Sequence, residues 1–204
     1  TRMASMMDMR AQGFSSRACK LGGYTVKDFR KAAVLNLTVC QEAGFTADEL
    51  LDAGDDSQQL LQALHCSCKD LVDKLNFLPK HFHKARIQLR DCYDVAQKSR
   101  NPHQFTDTHF REAGYSAADF RGAGLSAKDC KKAGFALAKC REAGYTAAAF
   151  YGAELSACDC KAAGFDLSEC LDGGYNEKDC RMAGYKEEPA SSDSDEQART
   201  CSVM

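Results

Sequence analysis

The residues best suited to chemistry in this sequence are the last four, Cys201-Ser202-Val203-Met204. A cysteine four residues from the end, an aliphatic residue and a terminal Met form the pattern of a prenylation box, and the Met favours farnesyl. The stretch before it is acidic, rich in Ser and without large apolar side chains, which is typical of a disordered tail. A prenyltransferase can thread such a tail into its pocket, so the sequence predicts lipidation at Cys201.

One lipid chain gives only marginal and reversible membrane binding, so stable anchoring needs a second signal. The usual polybasic neighbour is missing, and anionic lipid would repel the acidic tail. A basic stretch between residues 57 and 104, or a partner protein that holds the lipid, would supply that signal instead. We expect a cytoplasmic protein held peripherally on the cytosolic face of a membrane. Ser192, with Asp195 three residues later, also fits phosphorylation by an acid-directed kinase.

The chain has twelve cysteines, which raises the question of disulfides or metal. No secretory signal is visible, so we expect reduced thiols. Five cysteines recur at a fixed position of the repeat described below, but Phe or Leu fills the same position elsewhere, which indicates apolar packing. Cys158 lies outside this pattern and is predicted to be an exposed thiol. The packing cysteines are Cys130, Cys140, Cys160, Cys170 and Cys180.

Other candidates for chemistry are weak. The run His65-Cys66-Ser67-Cys68, with His81 and His83 further on, contains zinc-ligand residue types, but on a helix Cys66 and Cys68 would point about 200° apart. No nucleophile elbow, phosphate-binding loop or metalloprotease motif is present, so we predict no enzymatic activity, no metal and no cofactor. With 27 basic and 29 acidic residues, the charge also gives no indication of nucleic-acid binding.

The elements that must carry these residues repeat a ten-residue phrase. Residues 115–124, YSAADFRGAG, show it in full, with Ser116 as a favourable N-cap and Asp119 in the answering position of a capping box. Gly124 supplies the left-handed residue that ends a helix. We call the first position, here Tyr115, the joint residue, and the sixth, here Phe120, the slot residue. The phrase predicts one short helix per unit.

The joint residue connects neighbouring helices. Leu125 follows the terminating Gly124, so it is expected to pack back on the slot residue Phe120 and forward on the next slot residue, Cys130. A helix of about seven residues is well below the roughly 12–15 that an isolated helix needs. Each unit therefore depends on its neighbours, which predicts an all-α solenoid. A β-solenoid of pentapeptide type is the alternative, but the capping signals fit helices better.

Two departures from the phrase are expected to affect a helix end, while a third, Asn176 in place of Ser or Thr at an N-cap, keeps a residue that caps as well as Ser. Glu154 stands where Gly ends the other helices, so we expect this unit to close differently or to bend. Ala136 stands at an N-cap position and cannot cap, which we expect to cost about 1 kcal/mol locally.

The phrase also divides the chain. Between the arrays the period breaks, and apolar residues at helical spacing predict a longer helical hairpin, with Ser57 capping its first helix and Pro79 preventing its continuation. The predicted parts are a loose Met-rich N-terminus (1–12), a first array (13–56), the hairpin insert (57–104), a second array (105–185) and a disordered acidic tail with the prenylation box (186–204).

The segments AGYSAADF, AGFALAKC and AGYTAAAF resemble the short-helix decapeptide repeats that occur in tandem in proteins of protists and bacteria. The resemblance extends over both arrays. It implies an α-solenoid that offers an interaction surface, and it implies no defined activity.

We therefore expect a non-enzymatic scaffold or adaptor that holds a protein partner on the repeat surface. A structural or cytoskeletal protein, for example of a flagellum, is the first alternative; it would form filaments and would need terminal units with apolar faces. A cysteine-rich redox or metal-binding protein is the second. The predicted partner contacts are the exposed variable positions Arg121, Lys128, Lys131, Lys139, Tyr151 and Lys161.

Overall fold

The computed structural model describes residues 5–54, 64, 66–99 and 101–186. The described residues include sixteen complete α-helices of six to nine residues and one 3-10 turn, Pro102–Gln104. They contain no β-strand. The predicted all-α repeat fold is confirmed. The helices are α1 (Met6–Ala11), α2 (Ser16–Leu21), α3 (Val26–Lys31), α4 (Leu37–Ala43), α5 (Ala47–Asp52), α6 (Cys68–Leu75), α7 (Pro79–Lys84), α8 (Leu89–Gln97), α9 (Asp107–Glu112), α10 (Ala117–Gly122), α11 (Ala127–Ala133), α12 (Leu137–Glu142), α13 (Ala147–Gly152), α14 (Ala157–Ala163), α15 (Leu167–Asp172) and α16 (Glu177–Met182).

The predicted caps form as the phrase implies. Ser116 Oγ accepts a hydrogen bond from the Asp119 backbone N–H at 3.2 Å, and Asp119 Oδ2 accepts one from the Ser116 N–H at 2.7 Å. At the other end Gly124 takes φ +78°, and the Leu125 N–H donates to the Phe120 carbonyl at 3.1 Å. These bonds satisfy backbone groups that a free helix end would leave unpaired.

The two departures have different outcomes. Ala136 makes no side-chain cap bond at the start of α12, as expected. Glu154 adopts φ +58°, the left-handed conformation that Gly takes elsewhere, and the Leu155 N–H still donates to the Phe150 carbonyl at 3.0 Å. The unit therefore closes in the same way as its neighbours, and the side chain at Glu154 costs about 1–2 kcal/mol of backbone strain.

The helices stack in two rows. Apart from α1 and α3, the described helices pack against the second helix after them in the numbering used here. One row runs α2–α4–α6–α8–α10–α12–α14–α16 and the other α5–α7–α9–α11–α13–α15. One turn of the solenoid therefore contains two ten-residue units. The helices between the two arrays, α6 to α8, take places in these rows, so the solenoid continues through the segment that breaks the sequence period.

The core is a series of contacts between a slot residue and the joint residue 15 positions later. The rings of Phe120 and Phe135 meet edge to face with centroids 5.1 Å apart, and Phe150 and Phe165 do the same at 5.2 Å. Where the slot residue is the smaller Cys130, the joint residue is Tyr145, and Sγ lies 3.3 Å from its hydroxyl. The Tyr145 hydroxyl therefore occupies space that a Phe slot residue fills in other units.

The N-terminus differs from the prediction of a loose segment over residues 1–12. Ser5 and Asp8 form a complete capping box that starts α1, and Gly13 ends this helix at φ +85° as in other units. This unit is inconspicuous in the sequence because its slot position holds Met9, where other units have Phe, Cys or Leu. The repeat array therefore begins before residue 13.

The segment 57–104 also differs, because the described part holds three helices in place of the two of a hairpin. Asn76 ends α6 at φ +51°, Pro79 is the first residue of α7, and Arg86 ends α7 at φ +56°. The ring of Pro79 fixes φ at a helical value, and Pro79 lacks the backbone N–H that would be unpaired in the first turn of a helix. It therefore starts α7 and also prevents the preceding helix from continuing. Ser57 lies outside the described residues, and the observed N-cap of α6 is Ser67.

A hidden decapeptide explains why the helices of this segment join the rows. Residues 77–86 form one unit, in which Phe77 is the joint residue and Phe82 is the slot residue, both fully buried. The Ile87 N–H donates to the Phe82 carbonyl at 2.9 Å, which is the same closing bond as in the arrays. Non-Gly residues at the left-handed position conceal this unit in the sequence.

Adding the missing cap of α12 should stabilise the protein. We expect Ala136→Ser to raise the free energy of unfolding by about 1 kcal/mol, because its hydroxyl can accept from the free N–H groups of the first turn. Ser126→Ala, which removes the cap of α11, should lower it by about the same amount. Urea unfolding followed by circular dichroism measures both. Equal midpoints for Ala136→Ser and the parent would contradict the capping account.

Candidate functional site

The residue after the slot residue determines how successive turns are held together. In most units it is Lys or Arg, and its side chain donates to a carbonyl at the end of the second helix after it. Lys20 Nζ reaches the Gly44 carbonyl at 2.7 Å, Arg111 Nε the Ala133 carbonyl at 2.6 Å, and Arg121 Nη1 the Ala143 carbonyl at 3.2 Å. The same contact joins Arg141 to Gly164 and Lys161 to Gly184.

Several predicted partner contacts therefore already have a partner within the chain. Arg121 and Lys161 hold helix ends as described above. The other three cations form ion pairs: Lys128 with Glu154 at 2.7 Å, Lys131 with Asp159 at 2.7 Å, and Lys139 with Glu142 at 2.6 Å. These pairs are at least partly exposed, so each is worth little on its own. The structure spreads the five cations along the second array.

Tyr151 stands apart, because it occupies the position of a cation. Its ring meets Tyr175 edge to face with centroids 5.2 Å apart, and it covers Gly174, where an added Cβ would lie 3.2 Å from the Tyr151 ring. About half of the Tyr151 side chain (54 %) remains exposed. An aromatic ring has replaced a polar contact at this turn and presents an apolar surface to solvent.

Tyr151 lines a groove of about 660 Å³ between the loop that joins α13 to α14 and helix α16. Four residues that depart from the phrase meet there. Tyr151 replaces a cation, and Glu154 replaces Gly. Cys158 stands at a position where neighbouring units have Lys, Ala or Ser. Met182, which is 76 % exposed, stands at a position where the other units of the second array have a polar or small residue. Leu155 and Tyr175 supply the apolar floor.

The polar rim of the groove is acidic. Glu154 and Asp179 line it, and Lys128 lowers the pKa of Glu154 through a hydrogen bond, so this carboxylate is charged at neutral pH. Because the Lys128–Glu154 pair is well exposed, an incoming cation can compete for it. The groove therefore combines an apolar floor with a negative edge. Glu154 and Cys158 stood out in the sequence, whereas Met182 and Asp179 did not; aligning the units position by position would have identified Met182.

The cysteines divide as the sequence predicted. Slot residues such as Cys130 and Cys160 are fully buried free thiols, while Cys158 is exposed. Burial raises the pKa of Cys40 and of Cys92 to about 12. His81, one of the zinc-type residues, accepts the Leu78 N–H at Nδ1 and so caps α7.

The described residues contain no group of three or more His, Cys, Asp or Glu side chains arranged to hold a metal ion. Within the same residues, none of the helices has both the length and the apolar character to cross a bilayer. The predicted modification sites Cys201 and Ser192 lie outside the described residues.

The family model described as a decapeptide repeat region matches residues 114–187. The matched residues include those that line the groove and most of the second array, but they make up less than half of the chain. The match supports the resemblance to decapeptide repeats seen in the sequence. No curated protein and no solved structure matches the chain.

The thiols should react at very different rates in the folded protein. Cys158 should react rapidly with a thiol reagent because it is exposed. Burial should lower the thiolate fraction of Cys40 and Cys92 about three orders of magnitude below that of an ordinary cysteine. Cys158→Ser should remove one rapidly reacting thiol, and Cys160→Ser, two residues away, should remove none. Timed titration with a chromogenic disulfide measures this. If both variants lose the same number of rapidly reacting thiols, the prediction that Cys158 is exposed and Cys160 is buried is wrong.

Proposed function

We propose that this protein is a non-enzymatic scaffold whose decapeptide array holds a protein partner in the groove formed by Tyr151, Leu155, Cys158, Tyr175 and Met182. The observation that carries the proposal is the convergence of four departures from the repeat phrase on this one groove. Structural demands explain the common residues of the phrase, because each caps, packs or joins turns. They do not explain why Tyr151 and Met182 present apolar side chains to solvent.

The groove favours a particular chemistry in its partner. Its apolar floor suits one large apolar side chain, and exposed apolar surface of this kind commonly marks an interaction site. Glu154 and Asp179 favour Lys or Arg beside that side chain. We therefore propose a protein segment with an apolar anchor flanked by basic residues, and no nucleic acid, as the partner.

We further propose that a prenyltransferase attaches farnesyl to Cys201 and that the lipid places the scaffold peripherally on the cytosolic face of a membrane. The C-terminal tetrapeptide supports this proposal. One lipid binds a membrane only marginally, and the acidic tail does not help, so the partner in the groove would supply the second attachment.

A crosslinking experiment tests the groove. A photo-crosslinker attached to Cys158 in cell extract should capture a discrete partner. Met182→Glu should reduce the yield at least about tenfold, because a charged side chain then replaces the apolar surface on which the anchor packs. Met182→Leu, which keeps the apolar surface, should retain the yield.

The matched position control carries Ser168→Cys in a Cys158→Ser background, because residue 168 has the same place in helix α15. Equal capture from residues 158 and 168, or capture unchanged by Met182→Glu, would show that the groove is not the binding site.

A separate experiment tests the lipid. Expressed in eukaryotic cells, the chain ending at Met204 should gain the mass of one farnesyl group, and Cys201→Ser should lack it and leave the membrane fraction. Intact mass spectrometry and cell fractionation measure the two effects. An unmodified parent chain would remove the lipid proposal and would leave the groove proposal standing, since groove binding does not depend on Cys201.

A further inference from the structure

Helix α7 is capped by a histidine where many other units use a carboxylate. Nδ1 of His81 accepts the Leu78 N–H at 2.9 Å. It takes the place that Asp119 has in α10, where Oδ2 accepts the Ser116 N–H. An imidazole nitrogen accepts a hydrogen bond only while it carries no proton, and imidazole gains its second proton near neutral pH. The cap of α7 is therefore of a kind that mild acid removes.

Leu78 makes this cap depend on the imidazole alone. The neighbouring helix α9 also has a histidine at this position, but there Thr106 Oγ1 lies 2.9 Å from Nδ1 of His109 and can accept a proton from it. Leu78 has no polar side-chain atom and makes no such bond. A proton on Nδ1 of His81 would leave the Leu78 N–H without its acceptor. It would also place a positive charge in the first turn of a helix, where the helix dipole disfavours it.

The surroundings of His81 favour the neutral ring. The side chain is only 5 % exposed, and its ring meets that of Phe77 edge to face with centroids 5.5 Å apart. Nε2, which carries the proton of the neutral ring, lies 3.5 Å from Asp48 Oδ1 on α5. Burial lowers the pKa of His81 below its ordinary value. Asp48 opposes this shift, whereas Lys80 and Lys84 on α7 itself increase it.

Two other helices place titratable groups in the pocket that His81 lines. Lys74 of α6 lines this pocket, but it forms an ion pair with Asp70 at 2.8 Å. Cys40 of α4 lines it as well, and burial raises the pKa of this thiol to about 12, so that it is uncharged. Asp48 is therefore the charged group of the described residues that acts most directly on the His81 ring.

Helix α7 lies between the two arrays in its row. It packs against α5 of the first array on one side and against α9 of the second array on the other. On the α5 side Lys84 pairs with Asp52 at 2.7 Å, and on the α9 side His109 and Glu112 line a separate pocket. The other row passes from one array to the other through α6 and α8.

From this position and this cap we infer that α7 is an acid-sensitive link between the two arrays. Protonation of His81 at Nδ1 removes the cap of α7 and loosens the packing of this helix against α5 and α9. The other row keeps the arrays connected, so mild acid opens one side of the solenoid at a defined place.

The direction of the pH dependence follows from the burial of His81. As the pH falls below about 6.5, the unfolded segment binds the proton before the folded one does, because burial lowers the pKa of His81 in the fold. The link is therefore most stable at and above neutral pH. It loses stability as the pH falls from about 6.5 towards the folded pKa of His81.

Hydrogen–deuterium exchange of the full chain tests this inference. The Phe82 and Ile87 amides are hydrogen-bonded within and just after α7, and their protection factors should fall at least about tenfold between about pH 7.5 and about pH 5. The Cys130 and Phe135 amides make the same bonds in α11, where Asp129 is the capping carboxylate, and should keep their protection. An equal fall in both helices, or none in α7, would overturn the inference.

Two substitutions separate the titration of His81 from its packing. His81→Gln keeps a side chain that can accept the Leu78 N–H and does not titrate, so α7 should stay protected at both pH values. Leu78→Thr keeps His81 and adds the hydroxyl that Thr106 offers to His109, so the fall in protection should become smaller. Either variant is sufficient if the other does not fold. A folded variant of either kind that loses as much protection as the parent would overturn the inference.

Discussion

The contact between a slot residue and the joint residue 15 positions later is the interaction on which this structure depends. Helices of six to nine residues cannot persist alone in water, so their stability must come from the helices they pack against. The contact connects every other helix, and the two interleaved series of contacts produce the two rows. It also favours a fixed length of the unit, although one extra residue is tolerated where the slot residue Phe29 packs edge to face on the joint residue Phe45, 16 positions later.

The same constraint limits which residues remain for function. Ser, Asp and Gly positions cap helices, slot and joint positions form the core, and the cation after the slot holds the following turn, as Arg111 does at the Ala133 carbonyl. Many charged residues on the outside are therefore structural. A residue that breaks the phrase and exposes a large apolar side chain is informative, and Tyr151 and Met182 are of this kind.

Much of the local structure could be predicted from the sequence, since its signals act within a few residues. The capping box of Ser116 and Asp119, the end at Gly124 and the packing role of Cys130 all follow from one unit. The pairing of helices in rows could not be predicted, because it depends on contacts between turns that no pattern within one unit encodes. The unit at residues 77–86 was missed because Arg86 adopts a left-handed conformation where Gly is the signal. Only part of the lining of the groove could be predicted, because Met182 and Tyr151 come from different turns of the solenoid.

The position of the groove within the array bears on how a scaffold of this kind would work at a membrane. Helix α16, which carries Met182, ends four residues before Lys186, and 15 further residues lead to Cys201. A chain of that length spans at most about 50 Å, so a lipid on Cys201 and a partner in the groove would be held at the same end of the molecule. That end is acidic, and anionic lipid disfavours it. A basic segment bound in the groove would reduce this repulsion and add its own attraction to the surface. Lipid and partner would then strengthen one another, because each lowers the cost of the other's binding.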